Sequence, residues 1–186
     1  GKEYPCVTDL SGLRVGLLVG QQYDQNGVAL KDRKNNPLVF TREVKLKETG
    51  NNLEVTGIRV VKYPVDYGNG DNVNNDFVYF RYADVLLMKA EALLRTNDAG
   101  GALTLVNQVR TTRGASALGS VDLNQLLDER GRELYWEGWR RNDLIRFGKF
   151  LDAWQEKGAS GPERLLFPIP NRSLAANPNL VQNPGY

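Results

Sequence analysis

The sequence LDERGRELYWEGWRRNDLIRFG, residues 127–148, indicates the fold more strongly than any other part of the chain. From Asp128 to Lys149 there are six basic and five acidic residues, yet the stretch also contains two Trp, a Tyr and a Phe. A solvated run of charge does not usually contain so many large aromatic side chains. The pattern therefore predicts two helices, over 122–137 and 140–155, whose charges lie against apolar surface, with a break at Glu137–Gly138.

The first of these helices has one apolar face and begins at Asp122, the expected N-cap. Helical spacing places five residues on that face: Leu123, Leu127, Gly131, Leu134 and Gly138. Trp136 points away from the face, which predicts a second neighbour for the helix. A glycine at 131 costs about 1 kcal/mol in a helix interior, so we expect another backbone to approach closely there.

Charged side chains at the edge of this face must be paired, because an unpaired buried charge is costly. We predict a structural ion network, which comprises Arg130, Glu133, Glu137 and Arg140. Three partners remain open for Arg130: Glu133, Glu137, or a carboxylate of a neighbouring helix.

Composition is that of an ordinary globular chain, and it excludes several classes of function. The 186 residues are 41% apolar and 25% charged, and the net charge of +2 gives no electrostatic case for binding nucleic acid. The absence of histidine excludes Ser-His-Asp and Cys-His catalysis and histidine-ligated zinc. A single cysteine, Cys6, excludes an internal disulfide. There is no membrane-spanning run or signal peptide, and the start at Gly1 suggests a processed or excised piece.

Residues 76–186 form the predicted helical region, with two helix pairs in series. A first stripe predicts a helix over 80–95, and it comprises Phe80, Ala83, Leu87, Ala90 and Leu94. Thr96-Asn97-Asp98 ends this helix and caps its partner over 99–112, and so short a connection requires antiparallel packing. The organisation is tetratricopeptide-like in kind, although the 34-residue consensus is not matched.

The C-terminal residues 165–186, LLFPIPNRSLAANPNLVQNPGY, contain four prolines. Prolines at this density exclude a regular helix or a central strand. The apolar residues between them predict an ordered, extended, Pro-rich tail that is pinned to the body of the protein.

Residues 1–75 form a predicted loop-rich segment. SGLRVGLLVG, residues 11–20, suggests one short buried strand, and residues 38–48 and 53–63 suggest a β-hairpin across ETGNN. The expected fold class is therefore mainly α, with tetratricopeptide-like helix pairs, a small β-hairpin element and the extended tail.

Loop aromatic residues are the best candidates for ligand contact. Tyr23 and Tyr67 stand among amides and carboxylates, so they could stack on the apolar face of a sugar ring while Asp66 and Asn69 bind its hydroxyl groups. The simpler alternative, a loop aromatic that packs on the body, is favoured on general grounds. Asp66, Asp71 and Asp76 resemble a calcium loop but lack its bidentate Glu, so a plain polar loop is favoured, and no metal or cofactor is expected.

Carboxylates at 129, 133 and 137 offer a second kind of chemistry. Paired carboxyl groups could perform glycoside hydrolysis, which requires a general acid with a raised pKa. The surrounding arginines would instead lower the pKa of each carboxylate, so an ion network is favoured over catalysis.

Three blocks of sequence together resemble the SusD/RagB family of nutrient-binding outer-membrane lipoproteins. They are FRYADVLLMKAEAL at 80–93, LLDERGRELYWEGWRRNDLIRFGKF at 126–150, and FPIPNRSLAANPNLVQNPGY at 167–186. The segment VNQVRTTRG at 106–114 fits the same series. The resemblance is close over 76–186 and loose over 1–75, and it identifies the chain as a C-terminal portion of a SusD-like protein.

This resemblance implies binding rather than catalysis, with the loop-rich segment 1–75 as part of the ligand-facing region. Members of the family lie on the external face of the outer membrane, where they capture an oligosaccharide or other nutrient for a TonB-dependent transporter. The resemblance implies a membrane link only through a lipid anchor that is absent from this chain, and Cys6 does not match the lipid-bearing cysteine. The alternatives are a helical-repeat scaffold that docks on the transporter without touching ligand and, less favoured, a glycoside hydrolase.

Overall fold

The computed structural model describes residues 16–24, 26–63 and 76–186, and the chain divides into two compact units, Gly1–Phe77 and Val78–Tyr186. Six α-helices and four short strands occur in the described residues. The expected mainly α fold class is confirmed. No described helix combines the length and the apolar character needed to cross a membrane.

The first unit contains two small antiparallel ladders. Strand β1, Gly16–Leu18, pairs with β4, Arg59–Val61, and strand β2, Gly20–Gln21, pairs with β3, Val39–Phe40. The described part of the strand predicted over residues 11–20 thus contributes to two short strands, β1 and β2, and not to one. It is not buried, since Leu17 is 60% exposed.

The predicted hairpin between 38–48 and 53–63 is wrong. Each strand in these segments pairs with residues 16–21, and the turn region instead leads into a short helix, α1, Asn52–Val55. Asn52 stabilises this start, because its side chain accepts from the Thr49 backbone N–H at 2.7 Å and donates to the Lys47 carbonyl at 3.1 Å. Such side chain-to-backbone bonds give the chain a local alternative to strand pairing.

The second unit begins with an antiparallel helix pair, α2 at Tyr82–Arg95 and α3 at Ala99–Thr112, as the sequence predicted. The Asp98 carboxylate caps α3 by accepting from the Gly101 backbone N–H at 2.8 Å. The apolar core lies between these helices and the next, and it comprises Leu86, Leu87, Ala90, Ala102, Val106, Val109, Val121 and Leu126. Phe80, which was assigned to the inner stripe, precedes α2 and is 66% exposed.

Helix α4, Leu123–Glu133, begins with Asp122 in a capping box with Gln125, as the N-cap prediction required. It ends four residues earlier than predicted, because the chain turns through Trp136 and Gly138, which both have positive φ. Leu127 and Leu134 of the predicted face are buried, but Leu123 is only partly buried, and the fully buried apolar residue of α4 is Leu126. Trp136 is 65% exposed, and no second neighbour covers it among the described residues.

Helix α5, Arg140–Arg146, is much shorter than the predicted span of 140–155. Gly148 has φ +70°, and the backbone N–H groups of Lys149 and Phe150 both donate to the Leu144 carbonyl, at 2.7 and 3.1 Å. These bonds close the end of the helix with a turn, which helical periodicity alone does not reveal.

The tail is folded on itself and is not simply extended. After a 3₁₀ turn at Pro162–Leu165, a six-residue helix, α6, Asn171–Ala176, fits between Pro170 and Pro178. The Gln182 side chain holds the tail together by bonding both backbone groups of Ile169, at 2.8 and 2.9 Å. Most of its apolar side chains are exposed rather than buried against the body, and Phe167, 68% exposed, contacts the body through the Arg141 guanidinium.

Candidate functional site

Arg130 is the centre of the charged region, and it is 1% exposed. Its Nε donates to Asp143 Oδ2 of α5 at 2.9 Å, and its Nη1 lies 3.0 Å from Asp84 Oδ1 of α2. The Asp84 contact is an ion pair without hydrogen-bond alignment. Arg130 therefore joins three helices, and its partners are the third of the three possibilities, carboxylates of neighbouring helices.

A second cluster lies at the end of α4. Arg81 binds both Glu133 and Glu137, with its Nε 2.8 Å from Glu137 Oε2, and Arg113 Nη2 lies 2.8 Å from Glu133 Oε1. Burial by itself would raise the pKa of Glu133, but hydrogen bonds from Arg113 and Arg81 outweigh it and hold that pKa below its usual range. Glu133 therefore stays ionised near neutral pH.

Further pairs extend the network to α2 and α3. Arg146 Nη2 lies 2.9 Å from Glu91 Oε2 and 2.8 Å from Asp143 Oδ1. Glu91 also pairs with Arg95, whose Nη2 lies 3.0 Å from Glu91 Oε1. Burial opposes ionisation of Glu91, but bonds from the two arginines lower its pKa overall. Glu129 also pairs with two arginines, Arg110 at 2.6 Å and Arg132 at 2.7 Å.

Arg140 does not take the place expected for it. Among the described residues its guanidinium donates to the Leu127 carbonyl at 2.9 Å rather than to a carboxylate. The same group explains Gly131, because a Cβ there would lie 2.8 Å from Arg140 Nη1. The close approach to this glycine is thus made by a side chain and not by another backbone.

The arrangement is suited to holding helices and not to acid–base chemistry. Glu129, Glu133 and Glu137 each bind at least one arginine, and the pKa of Glu133 is lowered where a general acid requires a raised one. The described residues also contain no group of three or more carboxylate, Cys or His side chains able to hold a metal ion.

Sequence reasoning missed several members of the network, among them Arg81, Asp84, Arg113 and Asp143. Asp84 offered a signal, since it is an acidic residue between apolar positions of α2 and is completely buried. A buried carboxylate requires a cation, which makes Asp84 a natural partner for the buried Arg130.

Of the four candidate ligand residues, Tyr23 is described, whereas Asp66, Tyr67 and Asn69 lie outside the described residues. The Tyr23 ring is 39% exposed, beside a turn organised by Asp24. The Asp24 carboxylate accepts from the backbone N–H groups of Asn26 and Val28 at 2.8 and 2.9 Å, and Gly27 supplies the positive φ, +79°, that the turn needs.

This turn presents a half-exposed aromatic ring beside exposed polar groups. Gln22 anchors its base, because that side chain is 4% exposed and donates to the Gly20 carbonyl at 2.9 Å. A fixed aromatic surface with amides nearby is the chemistry that sugar recognition uses.

Comparison with known proteins finds a consistent set of relatives. The family model described as the SusD family matches residues 19–163, which is more than half of the chain. The chain is 32% identical over 146 residues to the starch-binding protein SusD of Bacteroides thetaiotaomicron, an alignment that covers 70% of this chain and 26% of that protein. The chain thus spans about a quarter of the length of the curated relatives that it matches.

Solved structures agree with the sequence matches. Surface glycan-binding protein A from Bacteroides uniformis is 33% identical with a TM-score of 0.54, over 60% of this chain and 28% of that one. A laminarin-binding SusD-like protein is 36% identical with a TM-score of 0.52, over 58% of this chain and 23% of that one.

Proposed function

Because the chain belongs to the SusD family, we propose that it is part of a carbohydrate-binding protein that captures oligosaccharide at the external face of the outer membrane and delivers it to a TonB-dependent transporter. The observation that carries the proposal is the match to proteins that are named for starch and glycan binding. The chain covers about a quarter of those proteins, so the proposal concerns the protein as a whole.

Two features of the chain support binding over catalysis. Glu129, Glu133 and Glu137 are each bound by at least one arginine, which leaves no free pair of acid and base among these three carboxylates. The Tyr23 turn, in contrast, is fixed by Asp24 and Gln22 before any ligand arrives, so little conformational entropy is lost on binding. We propose Tyr23 as a stacking residue for a sugar ring, with Tyr67, Asp66 and Asn69 as further contacts.

Calorimetric titration with a panel of soluble oligosaccharides, including starch and laminarin fragments, tests this function. The complete wild-type protein should bind at least one of them, and Tyr23→Ala should raise its Kd by about two- to tenfold, as expected for the loss of one aromatic contact. Tyr186→Ala is the matched control, because Tyr186 is similarly exposed, at 42% against 39% for Tyr23. Equal Kd values for wild type and Tyr23→Ala would remove Tyr23 from the site.

The scaffold alternative makes a different prediction. A whole protein that binds no saccharide in the panel but co-purifies with an outer-membrane transporter would support docking without ligand contact. Release of reducing sugar that is abolished by Glu133→Gln would contradict both binding hypotheses and support the hydrolase.

A further inference from the structure

The Tyr23 turn, residues 22–29, is followed directly by a second turn of the same construction, residues 30–37. Their sequences, QYDQNGVA and LKDRKNNP, both have aspartate at the third position. The Asp32 carboxylate accepts from the backbone N–H groups two and four residues later, at 2.9 and 2.8 Å, and Asp24 makes the same two bonds in the first turn. The sixth residue has a positive φ in both turns, +79° and +66°. The chain therefore forms one eight-residue turn twice.

A ring of three backbone hydrogen bonds joins these turns to the strand that follows them. The N–H of Leu30 donates to the Gln22 carbonyl at 2.8 Å, and the N–H of Leu38 donates to the Leu30 carbonyl at 2.9 Å. The N–H of Gln22 closes the ring by donating to the Leu38 carbonyl at 2.9 Å. Because the ring members follow one another at intervals of eight residues, the ring relates the three segments by an approximate rotation about one axis.

Three side-chain positions are equivalent around this ring, namely the residues that follow its members: Tyr23, Lys31 and Val39. Each pairs antiparallel with the residue that precedes the next member of the ring, respectively Ala29, Pro37 and Gln21. All three are exposed, Tyr23 by 39% and Val39 by 41%. Positions related by a rotation lie on the same side of the ring, and chain geometry limits the distance between any two of these Cα atoms to at most about 13 Å. An aromatic, a cationic and an apolar side chain therefore share one small surface.

Lys31 gives this surface a positive charge, since it makes no ion pair within the described part of the chain. The carboxylates nearest to it in the two turns, Asp24 and Asp32, accept from backbone N–H groups of their own turns. Residues 16–63 contain eight Lys or Arg and five Asp or Glu, so the surroundings do not cancel the charge. A ligand group that meets Lys31 should therefore be negative.

We propose that Lys31 is a specificity-determining residue of the Tyr23 site, and that the ligand of this site is an oligosaccharide with an anionic group, either a uronate carboxylate or a sulfate ester. Tyr23 stacks on the apolar face of a sugar ring, while the Lys31 ammonium binds the anionic oxygens. Val39 adds apolar contact at the edge. The inference rests on the proposed function, because it names the class of ligand for the same site.

A neutral sugar fits this position less well. The hydroxyl groups of a sugar both donate and accept hydrogen bonds, whereas an ammonium offers three donors and no acceptor. A neutral ligand that covers Lys31 also removes water from a charge without supplying a countercharge, which is unfavourable. A carboxylate or sulfate instead pairs with the lysine, so the same residue favours the anionic ligand and disfavours the neutral one.

Calorimetric titration of the complete protein with matched charged and uncharged ligands tests the inference. Oligogalacturonate and its methyl ester have the same sugar chain and differ in charge, and a sulfated galactan fragment and its desulfated form give a second pair. Wild type should bind the charged form of at least one pair more tightly. Lys31→Gln should reduce this preference by about two- to fivefold, as expected for an exposed ion pair, and added salt should reduce it in wild type. The pair that shows the preference distinguishes carboxylate from sulfate.

Lys34→Gln is the matched control for Lys31→Gln. Lys34 is also exposed and makes no ion pair within the described part of the chain, but it is directed toward another turn, because a Cβ at Gly50 would lie 3.9 Å from its Nζ. Lys34→Gln should keep the preference of wild type for the charged ligand. Lys31→Arg should also keep it, since the positive charge remains.

Three results would overturn the inference. Wild type that binds the neutral form of each pair at least as tightly as the charged form refutes anionic specificity but leaves oligosaccharide binding intact. Equal losses of preference in Lys31→Gln and Lys34→Gln show that general positive charge is responsible and not Lys31. Failure to bind any oligosaccharide, charged or neutral, refutes the proposed function together with this inference.

Discussion

Replacing Arg130 with methionine should destabilise the helical unit severely. Arg130 is 1% exposed, and its partners Asp84 and Asp143 are 0% and 1% exposed, so removing the guanidinium leaves a buried carboxylate without its cation. Asp143 keeps its contact with Arg146, but Asp84 loses its ion-pair partner. Breaking a buried pair in this way costs about 3–5 kcal/mol, a large part of the 5–15 kcal/mol that stabilises a typical domain.

Urea unfolding followed by tryptophan fluorescence measures this loss. All three Trp residues, at positions 136, 139 and 154, belong to the helical unit, so the signal reports on that unit alone. The matched control is Arg132→Met, two residues along the same helix, whose side chain is 57% exposed in its pair with Glu129. That change should cost no more than about 1 kcal/mol.

A third variant separates the loss of pairing from the loss of arginine packing. In Asp84→Leu/Arg130→Met/Asp143→Leu no buried charge remains at the centre, so we expect most of the lost stability to return. If Arg130→Met and Arg132→Met have the same urea midpoint, the guanidinium is not holding the three helices. If the triple variant is less stable than Arg130→Met, packing matters more than charge.

Two further predictions concern pH and the tail. The pKa of Glu133 is lowered in the folded state, so its contribution is present above the unfolded pKa and is lost as pH falls through the lower folded value. The urea concentration at the unfolding midpoint should therefore decrease as the pH is lowered from about 6 to about 3, and Glu133→Gln should show a smaller decrease. Equal decreases in wild type and Glu133→Gln would contradict this. Deletion of residues 165–186 should lower the melting temperature, because it removes the contact between Phe167 and Arg141. The Phe167 ring centroid lies 4.1 Å from the guanidinium carbon of Arg141. Phe167→Ala alone should cost about 0.5–1 kcal/mol, whereas Val181→Ala, at an 83% exposed position, should cost almost nothing; equal effects would refute the contact.

Local signals in the sequence predicted the beginnings of helices well. Asp98 and Asp122 cap α3 and α4 as expected, because an N-cap depends on a side chain and the backbone N–H three residues later. The ends of α2 and α3, at Arg95 and Thr112, were also predicted correctly, but those of α4 and α5 were predicted poorly. Periodicity continues beyond Glu133, but Trp136 adopts φ +63°, a conformation that its residue type does not announce.

Contacts between distant residues were the least predictable. The strands at 38–48 and 53–63 pair with residues 16–21 instead of with each other, and β propensity does not specify a partner. At the charged site the sequence showed that Arg130 needs a carboxylate, but the choice of Asp84 and Asp143 depends on how α2 and α5 pack against α4. For ligand contact, composition identified Tyr23 but could not test its role.

The network around Arg130 is better suited to specifying geometry than to adding free energy. Apolar contacts alone would tolerate small rotations of α4, since leucine side chains pack acceptably in several positions. Arg130 must instead reach carboxylates on two different helices at once, and a rotated α4 would leave charges buried and unpaired. We therefore expect the triple leucine–methionine variant to recover stability yet lose a single well-defined packing. Broadened tryptophan or methyl resonances in that variant would support this role, and spectra as sharp as those of wild type would refute it.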